Sequence, residues 1–264
     1  MIASRGGVAS LGMYDRPETA AANDRLWANI RDGLRSEGIH QAPDALTRGD
    51  TAFWTTWQSP DLVFSQTCGF PFRAKLHDHV TLIGTPDYGL PGCPPGYYNS
   101  VFIARKDDPR TTLPEFSGAP FAYNEDLSQS GWAAPQNHAA AHGLHFPPSL
   151  QTGGHRLSAL AVSESRADLA AIDALTWGLL LAHDPFGTTL REVGRTEPPT
   201  PVLPYITAKG QDAALYFRVT KAAIDALSAD DKATLHLKDL IAIPATAYLA
   251  VPTPAAPSEI MDGL

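Results

Sequence analysis

Apolar positions recur along this chain with two different periods, and their alternation predicts strands interleaved with helices. Val8 to Tyr14 (VASLGMY) reads as a short strand ending in a turn. From Glu18 to Gly38 the period lengthens, and Leu26, Trp27, Ile30 and Leu34 fall on one face of an amphipathic helix. Asp61 to Ser65 (DLVFS) is a brief apolar run of the buried-strand kind, followed at once by the polar turn Gln66-Thr67-Cys68-Gly69. Val80 to Gly84 and Tyr98 to Arg105 (YNSVFIAR) carry further strand signals.

The pattern then restarts. Phe121 to Tyr123 reads as a strand, Ser128 to Gly131 as a turn, Trp132 to His142 as a helix closed by Gly143, and Gly154 to Ser165 as another helix. Asp168 to Ile172 is a strand that delivers Asp173 to its carboxyl end, Ala174 to His183 is the next helix, and Arg191 to Gly194 ends the unit. Pro198, Pro199, Pro201 and Pro204 mark a crossover. Beyond it lie an element over Leu215 to Val219, a helix around Lys221 to Leu227, and the tail PTPAAPSE, expected to be poorly ordered. This order predicts an α/β fold in two units, each with a mainly parallel sheet and with ligands outside the carboxyl ends of the strands. One lobe is expected near residues 1–104 with 199–264 and the other near 105–198, with hinges near 104–106 and 197–201.

Composition narrows the function. At 264 residues and 44% hydrophobic content the chain holds enough apolar surface for one large core or two modest ones. Lys and Arg total 20 against 28 Asp and Glu, a net charge of -8, and no basic run occurs, so nucleic acid and anionic membranes are poor candidates as partners. A small anion is not excluded, because backbone N–H groups at a helix terminus set the local field. No stretch approaches the roughly 20 apolar residues of a membrane span, and the start MIASRGGVASLGMYDRPE lacks the apolar core of a secretion signal. A soluble chain is therefore expected, periplasmic if its leader has been replaced and cytoplasmic otherwise. Cys68 and Cys93 both sit in Gly/Pro-rich turns, which fits a single disulfide, with two thiols as the alternative.

Three segments carry candidate chemistry. Ser128-Gln129-Ser130-Gly131 precedes a helix, where hydroxyls and successive backbone N–H groups converge on the positive end of the helix dipole and form an anion cradle; the competing reading is an ordinary N-cap. Thr152-Gly153-Gly154-His155 opens the next helix with an imidazole that the dipole favours as a neutral donor. Asp173 caps its helix or, as an acceptor, meets an oxyanion that carries a proton. His138 and His142 are one helical turn apart but lack the accompanying Glu of a zinc protease, so no metal is expected. No P-loop, dinucleotide fingerprint or Gly-x-Ser-x-Gly elbow occurs, so no cofactor is expected either.

Ser-x-Ser-Gly before a helix, Gly-His opening the next, then Ala-Ala-Ile-Asp and a Pro-rich crossover, in that order from about Leu11 to Ile206, resemble the phosphate/phosphite/phosphonate-binding family of ABC-transporter solute-binding proteins. The resemblance implies a two-lobed periplasmic-binding-protein fold of type II with its ligand in the interlobe cleft. It implies a monomer that binds a small oxyanion and delivers it to an ABC permease in the membrane. Ser128, Gln129, Ser130, His155 and Asp173 match the ligand-binding motifs of the family, and Tyr14 with Gln66-Thr67 are the positional matches for its first-lobe contacts. Gln129 replaces the usual Thr, and Gln66-Thr67-Cys68-Gly69 replaces a turn built around a Tyr, which bears on which ligand is bound. The competing functions are an enzyme of cofactor-precursor synthesis on the same scaffold and a receptor that reports ligand to a sensor. Against the enzyme, no motif pairs a nucleophile with a base.

Overall fold

The computed structural model describes residues 6–262, which divide into two compact units. The first runs to Gly96 and resumes at Pro201–Leu249; the second takes Tyr97–Thr200 and the residues from Ala250 on. In chain order the strands are β1 (Val8–Ser10), β2 (Leu62–Gln66), β3 (Val80–Asp87), β4 (Tyr97–Tyr98), β5 (Ser100–Arg105), β6 (Phe121–Tyr123), β7 (Pro148–Gln151), β8 (Leu169–Asp173), β9 (Leu190–Arg195), β10 (Thr200–Pro201), β11 (Tyr205–Ala208) and β12 (Asp239–Ile241). The first sheet has the order β1-β2-β11-β3-β12 and the second β7-β6-β8-β5-β9, while β4 and β10 pair where the chain crosses between units.

Both sheets are mixed, which corrects the mainly parallel arrangement expected from strand–helix alternation. β1 runs parallel to β2, and β6 runs parallel to both β7 and β8. β11 is antiparallel to β2 and β3, β12 is antiparallel to β3, and β5 is antiparallel to β8 and β9. The reason is connectivity. β5 and β11 each receive the chain from the other unit, so neither is bound by the helical crossover that makes successive strands parallel.

The unit boundaries also move. The strand expected to close the first lobe is β5, and its ladders to β8 and β9 place it in the second unit, so the crossing falls at Gly96 and not near residue 104. The tail belongs to the second unit as well and is tied to it. Trp132 Nε1 donates to the Ala255 carbonyl at 3.1 Å and Asn137 Nδ2 to that of Pro252 at 2.8 Å, and the tail ends in a helix over Pro257–Asp262.

In the first unit the amphipathic pattern folds as written. The Ala20–Ser36 helix buries Leu26, Trp27, Ile30 and Leu34, and Gly38, at φ +89°, lets the chain turn away after it. The stretch over residues 215–227, which reads as two elements, is one helix over Ala213–Asp225 capped by Asp212, with Tyr216, Val219, Thr220, Ala223 and Ile224 buried at helical spacing. These two helices pack closely because a Cβ at Gly33 would lie 2.8 Å from Val219 Cγ1. The second core gathers Phe102, Phe121 and Phe146, whose ring centroids lie 5.3 and 5.9 Å apart, under the Ala-rich strand β8.

Cys68 and Cys93 are not joined by a disulfide, contrary to expectation. Cys68 is buried at the start of the Gly69–Pro71 turn and Cys93 is half-buried; two cysteines placed in turns do not by themselves set the bond geometry a disulfide requires.

Two outcomes follow. Thiol titration of denatured, unreduced protein is expected to find two reactive thiols per chain, and a count near zero would contradict this fold around Cys68. Deleting residues 250–264 removes the acceptors of Trp132 and Asn137 and is expected to destabilise the second unit by about 2 kcal/mol, at about 1 kcal/mol per hydrogen bond. Urea unfolding followed by tryptophan fluorescence checks it; an unchanged midpoint would show that the tail carries no load.

Candidate functional site

Strands β7, β6 and β8 are neighbours and run in the same direction, so all three end at one edge of the second sheet, and a helix begins after each. Helix N-termini present backbone N–H groups and the positive end of the dipole, so this edge suits an anion.

After β6, Ser128 stays extended and its Oγ accepts from Gly131 N at 2.9 Å, the ordinary capping role. A wide helical turn over Gln129–Ala133 follows and runs into the helix Ala134–His142, burying Gln129 and Ser130. After β7, Thr152 N donates to Tyr123 O and Gly153 N to Asn124 O, both at 2.9 Å. These bonds extend the β6–β7 pairing past the strand ends and hold the loop beside the serine turn, with Gly153 at φ +84° making the bend. His155, the first residue of the helix His155–Ser163, thereby meets Ser130: Oγ and Nε2 are 2.7 Å apart and hydrogen-bonded. Burial pushes the imidazole down to about 4, partly opposed by the Ala171 backbone, so at neutral pH the ring is uncharged.

At the end of β8, Asp173 is buried and caps the helix Ala174–His183, its Oδ1 accepting from Thr176 N at 2.9 Å. The structure therefore brings Ser128, Gln129, Ser130, His155 and Asp173 to one sheet edge, with Ser128 and Asp173 also doing the work of helix caps. Asn124, which sequence reasoning passed over, belongs with them. Its Oδ1 is buried and lacks a partner, and a Cβ at residue 131 would come within 1.9 Å of it, so Gly131 makes room for this amide. The signal available in sequence was only that Asn124 directly follows a strand.

In the first unit, Tyr14 lies in the helical turn after β1, Gln66 ends β2 and Thr67 follows it. Gln66 Nε2 donates to Tyr88 Oη at 2.9 Å and to Leu203 O at 3.1 Å, so its amide holds Tyr88 in place. The Tyr88 ring meets that of Tyr14 edge-to-face at 5.4 Å. Tyr205, opposite Gln66 in the ladder, also hydrogen-bonds Tyr88, and burial drives the Tyr205 hydroxyl far above its ordinary pKa. Thr67 N donates to Pro204 O at 3.0 Å, while its buried Oγ1 has no partner. Tyr88 is thus a hub that sequence reading did not identify, since a Tyr beyond a strand end has no periodic signature.

His138 and His142 stack with ring centroids 4.1 Å apart, but both Nδ1 atoms are engaged, with Glu197 N and with His138 O respectively. Among the described residues no group of three or more His, Cys, Asp or Glu is placed to hold a metal ion, and no helix is long and apolar enough to cross a membrane.

A family model described as "ABC transporter, phosphonate, periplasmic substrate-binding protein" matches residues 60–244. No curated protein matches the chain. Among solved structures, PhnD1 from Prochlorococcus marinus (MIT 9301), in complex with methylphosphonate, is similar at 15% identity, covering 98% of each chain with a TM-score of 0.70. XAC2383 from Xanthomonas citri, bound to a chloride ion, is 14% identical over 98% of this chain and 100% of its own, with a TM-score of 0.66. PA3383 from Pseudomonas aeruginosa, a binding-protein component of an ABC phosphonate transporter, is 15% identical over 90% of this chain and 82% of its own, with a TM-score of 0.63. At these identities the likeness is one of fold, the two-lobed α/β fold of periplasmic binding proteins.

The depressed His155 titration makes a testable statement about stability. Unfolded, the imidazole titrates near about 6.5; folded, it does so near about 4. Between these values the unfolded chain takes up a proton that the folded one refuses, so stability is full above about pH 6.5, falls as pH drops, and levels off below about pH 4. The loss is at most about 3 kcal/mol. Urea midpoints between pH 7 and 4 should show a shallower decline in His155→Asn, the remainder reflecting His138, which burial also pushes down. Identical declines in the two proteins would mean that His155 is not held neutral.

Proposed function

The chain belongs to the periplasmic phosphonate substrate-binding protein family of ABC transporters, and from that premise we propose that its ligand is a small tetrahedral oxyanion, a phosphonate, phosphite or phosphate, held at the carboxyl edge of the second sheet. The observation that carries the proposal is the Ser130–His155 pair, 2.7 Å apart, at an edge where three helices begin. Ser128, Ser130, His155 and the backbone N–H groups of the turn replace the ligand's water shell with fixed neutral donors. Asp173 keeps acceptor capacity beyond its cap bond, and a carboxylate can face an oxyanion only through a ligand proton. A protonated phosphonate or phosphate is therefore favoured over fully ionised sulfate. Within the first unit, Thr67 keeps a buried hydroxyl without a partner and Tyr14 stands beside the Tyr88 that Gln66 holds.

In this reading the protein works in the periplasm as a monomer and hands its ligand to a membrane permease. One observation bears on the alternative of catalysis: Ser130 and His155 stand at the separation of a nucleophile and its base. An imidazole pulled down to about 4 is too weak a base to activate a serine at neutral pH, which favours binding.

Calorimetry at pH 7 with methylphosphonate, phosphite, phosphate and sulfate tests the reading. At least one of the first three is expected to bind and sulfate to bind far more weakly. Ser130→Ala and His155→Ala are each expected to weaken binding roughly ten- to a hundredfold, about 1.5–3 kcal/mol, while Ser163→Ala, at the far end of the His155 helix, leaves it unchanged. Parent-like affinity in both site variants would remove the site from this edge.

A further inference from the structure

Ser100 is the first residue of β5 and pairs directly with Asp173 across the antiparallel ladder to β8. Directly opposed residues point to the same face of a sheet, so the Ser100 side chain stands beside that of Asp173 at the edge where the serine turn and His155 gather. Its backbone is fixed on both sides: Ser100 N donates to Thr196 Oγ1 and Ser100 O accepts from Thr196 N, each at 2.9 Å. The preceding carbonyl, of Asn99, accepts from Ala174 N at 3.2 Å, which ties the start of β5 to the N-terminus of the helix that Asp173 caps. The side chain is 1% exposed, yet its Oγ has no hydrogen-bond partner.

A buried hydroxyl without a partner is destabilising, and alanine would fill the same place in the strand without that cost. The Asn124 Oδ1 orphan lies at the same sheet edge, so unsatisfied polar atoms collect where ligand is expected. We propose that Ser100 is a further ligand-contact residue, whose hydroxyl donates to an oxygen of the bound oxyanion beside Asp173. This rests on the reading of the edge as an oxyanion site. With its backbone pinned and no competing partner, Ser100 offers a donor that needs no rearrangement on binding. It also links selectivity to β5, because a ligand must place one oxygen within reach of Ser100 and a proton within reach of Asp173 together.

The test compares the parent with Ser100→Ala, His155→Ala and Ser163→Ala, by calorimetry with methylphosphonate, phosphite and phosphate and by thermal unfolding without and with ligand. Ser100→Ala is expected to melt at or above the parent temperature without ligand, to bind roughly tenfold more weakly, and to show a smaller ligand-induced rise in melting temperature. If Ser100→Ala does not fold, Ser100→Cys, which keeps the shape of the side chain with a larger atom and weakens the donor, is read the same way. If His155→Ala loses affinity while the Ser100 variant binds like the parent, the inference about Ser100 is overturned and the site stands. If the parent binds none of the three anions, the oxyanion reading fails and the role of Ser100 falls with it.

Discussion

Two backbone hydrogen bonds, Thr152 N to Tyr123 O and Gly153 N to Asn124 O, prolong the β6–β7 pairing beyond the strands, and the geometry of the second-unit site depends on them. They bring the opening of the His155 helix alongside the serine turn, so that residues 25 apart in sequence become hydrogen-bonded neighbours. Because the ladder is parallel, both segments leave the same sheet edge and both begin helices there. Were β7 to slip by one residue, His155 would face away from Ser130 and the edge would lose its only imidazole donor among the predicted site residues.

The electrostatics of this edge explain how a chain of net charge -8 suits an anion. The predicted donors are hydroxyls, a neutral imidazole and backbone N–H groups, aligned by helices whose dipoles act only within their first turn. Distant surface carboxylates are screened over about 10 Å in ordinary salt and contribute little at that range. Keeping His155 uncharged has a further consequence for the proposed site: a neutral ring pairs with Ser130 without repelling a ligand proton, which in that reading leaves discrimination to groups that accept, such as Asp173.

Several of the candidate site residues also serve the fold. Ser128 and Asp173 terminate orphan N–H groups of their helices through Gly131 and Thr176. Gln66 spends both N–H bonds on Tyr88 and Leu203, and so holds that tyrosine in place. Ser100, Thr67 and Asn124 are the reverse case, with polar atoms that the fold leaves unsatisfied. A stability-driven sequence would remove them, which is why their place at the strand ends carries information about function.

Sequence alone determined the α/β class, the amphipathic helix with Leu26, Trp27, Ile30 and Leu34 on its buried face, and the motif order Ser128-Gln129-Ser130, His155, Asp173. Each of these is a local or ordered signal, set by side-chain period, capping preference or the sequence of motifs. What it could not carry was anything that depends on partners far along the chain. The antiparallel entry of β5 and β11, the docking of the tail on Trp132 and the Ser100–Asp173 register were decided only by the tertiary structure. The physical reason is that strand direction, register and Cβ approach are properties of pairs, and a single strand of three to six residues carries too little periodicity to specify which neighbour it will meet.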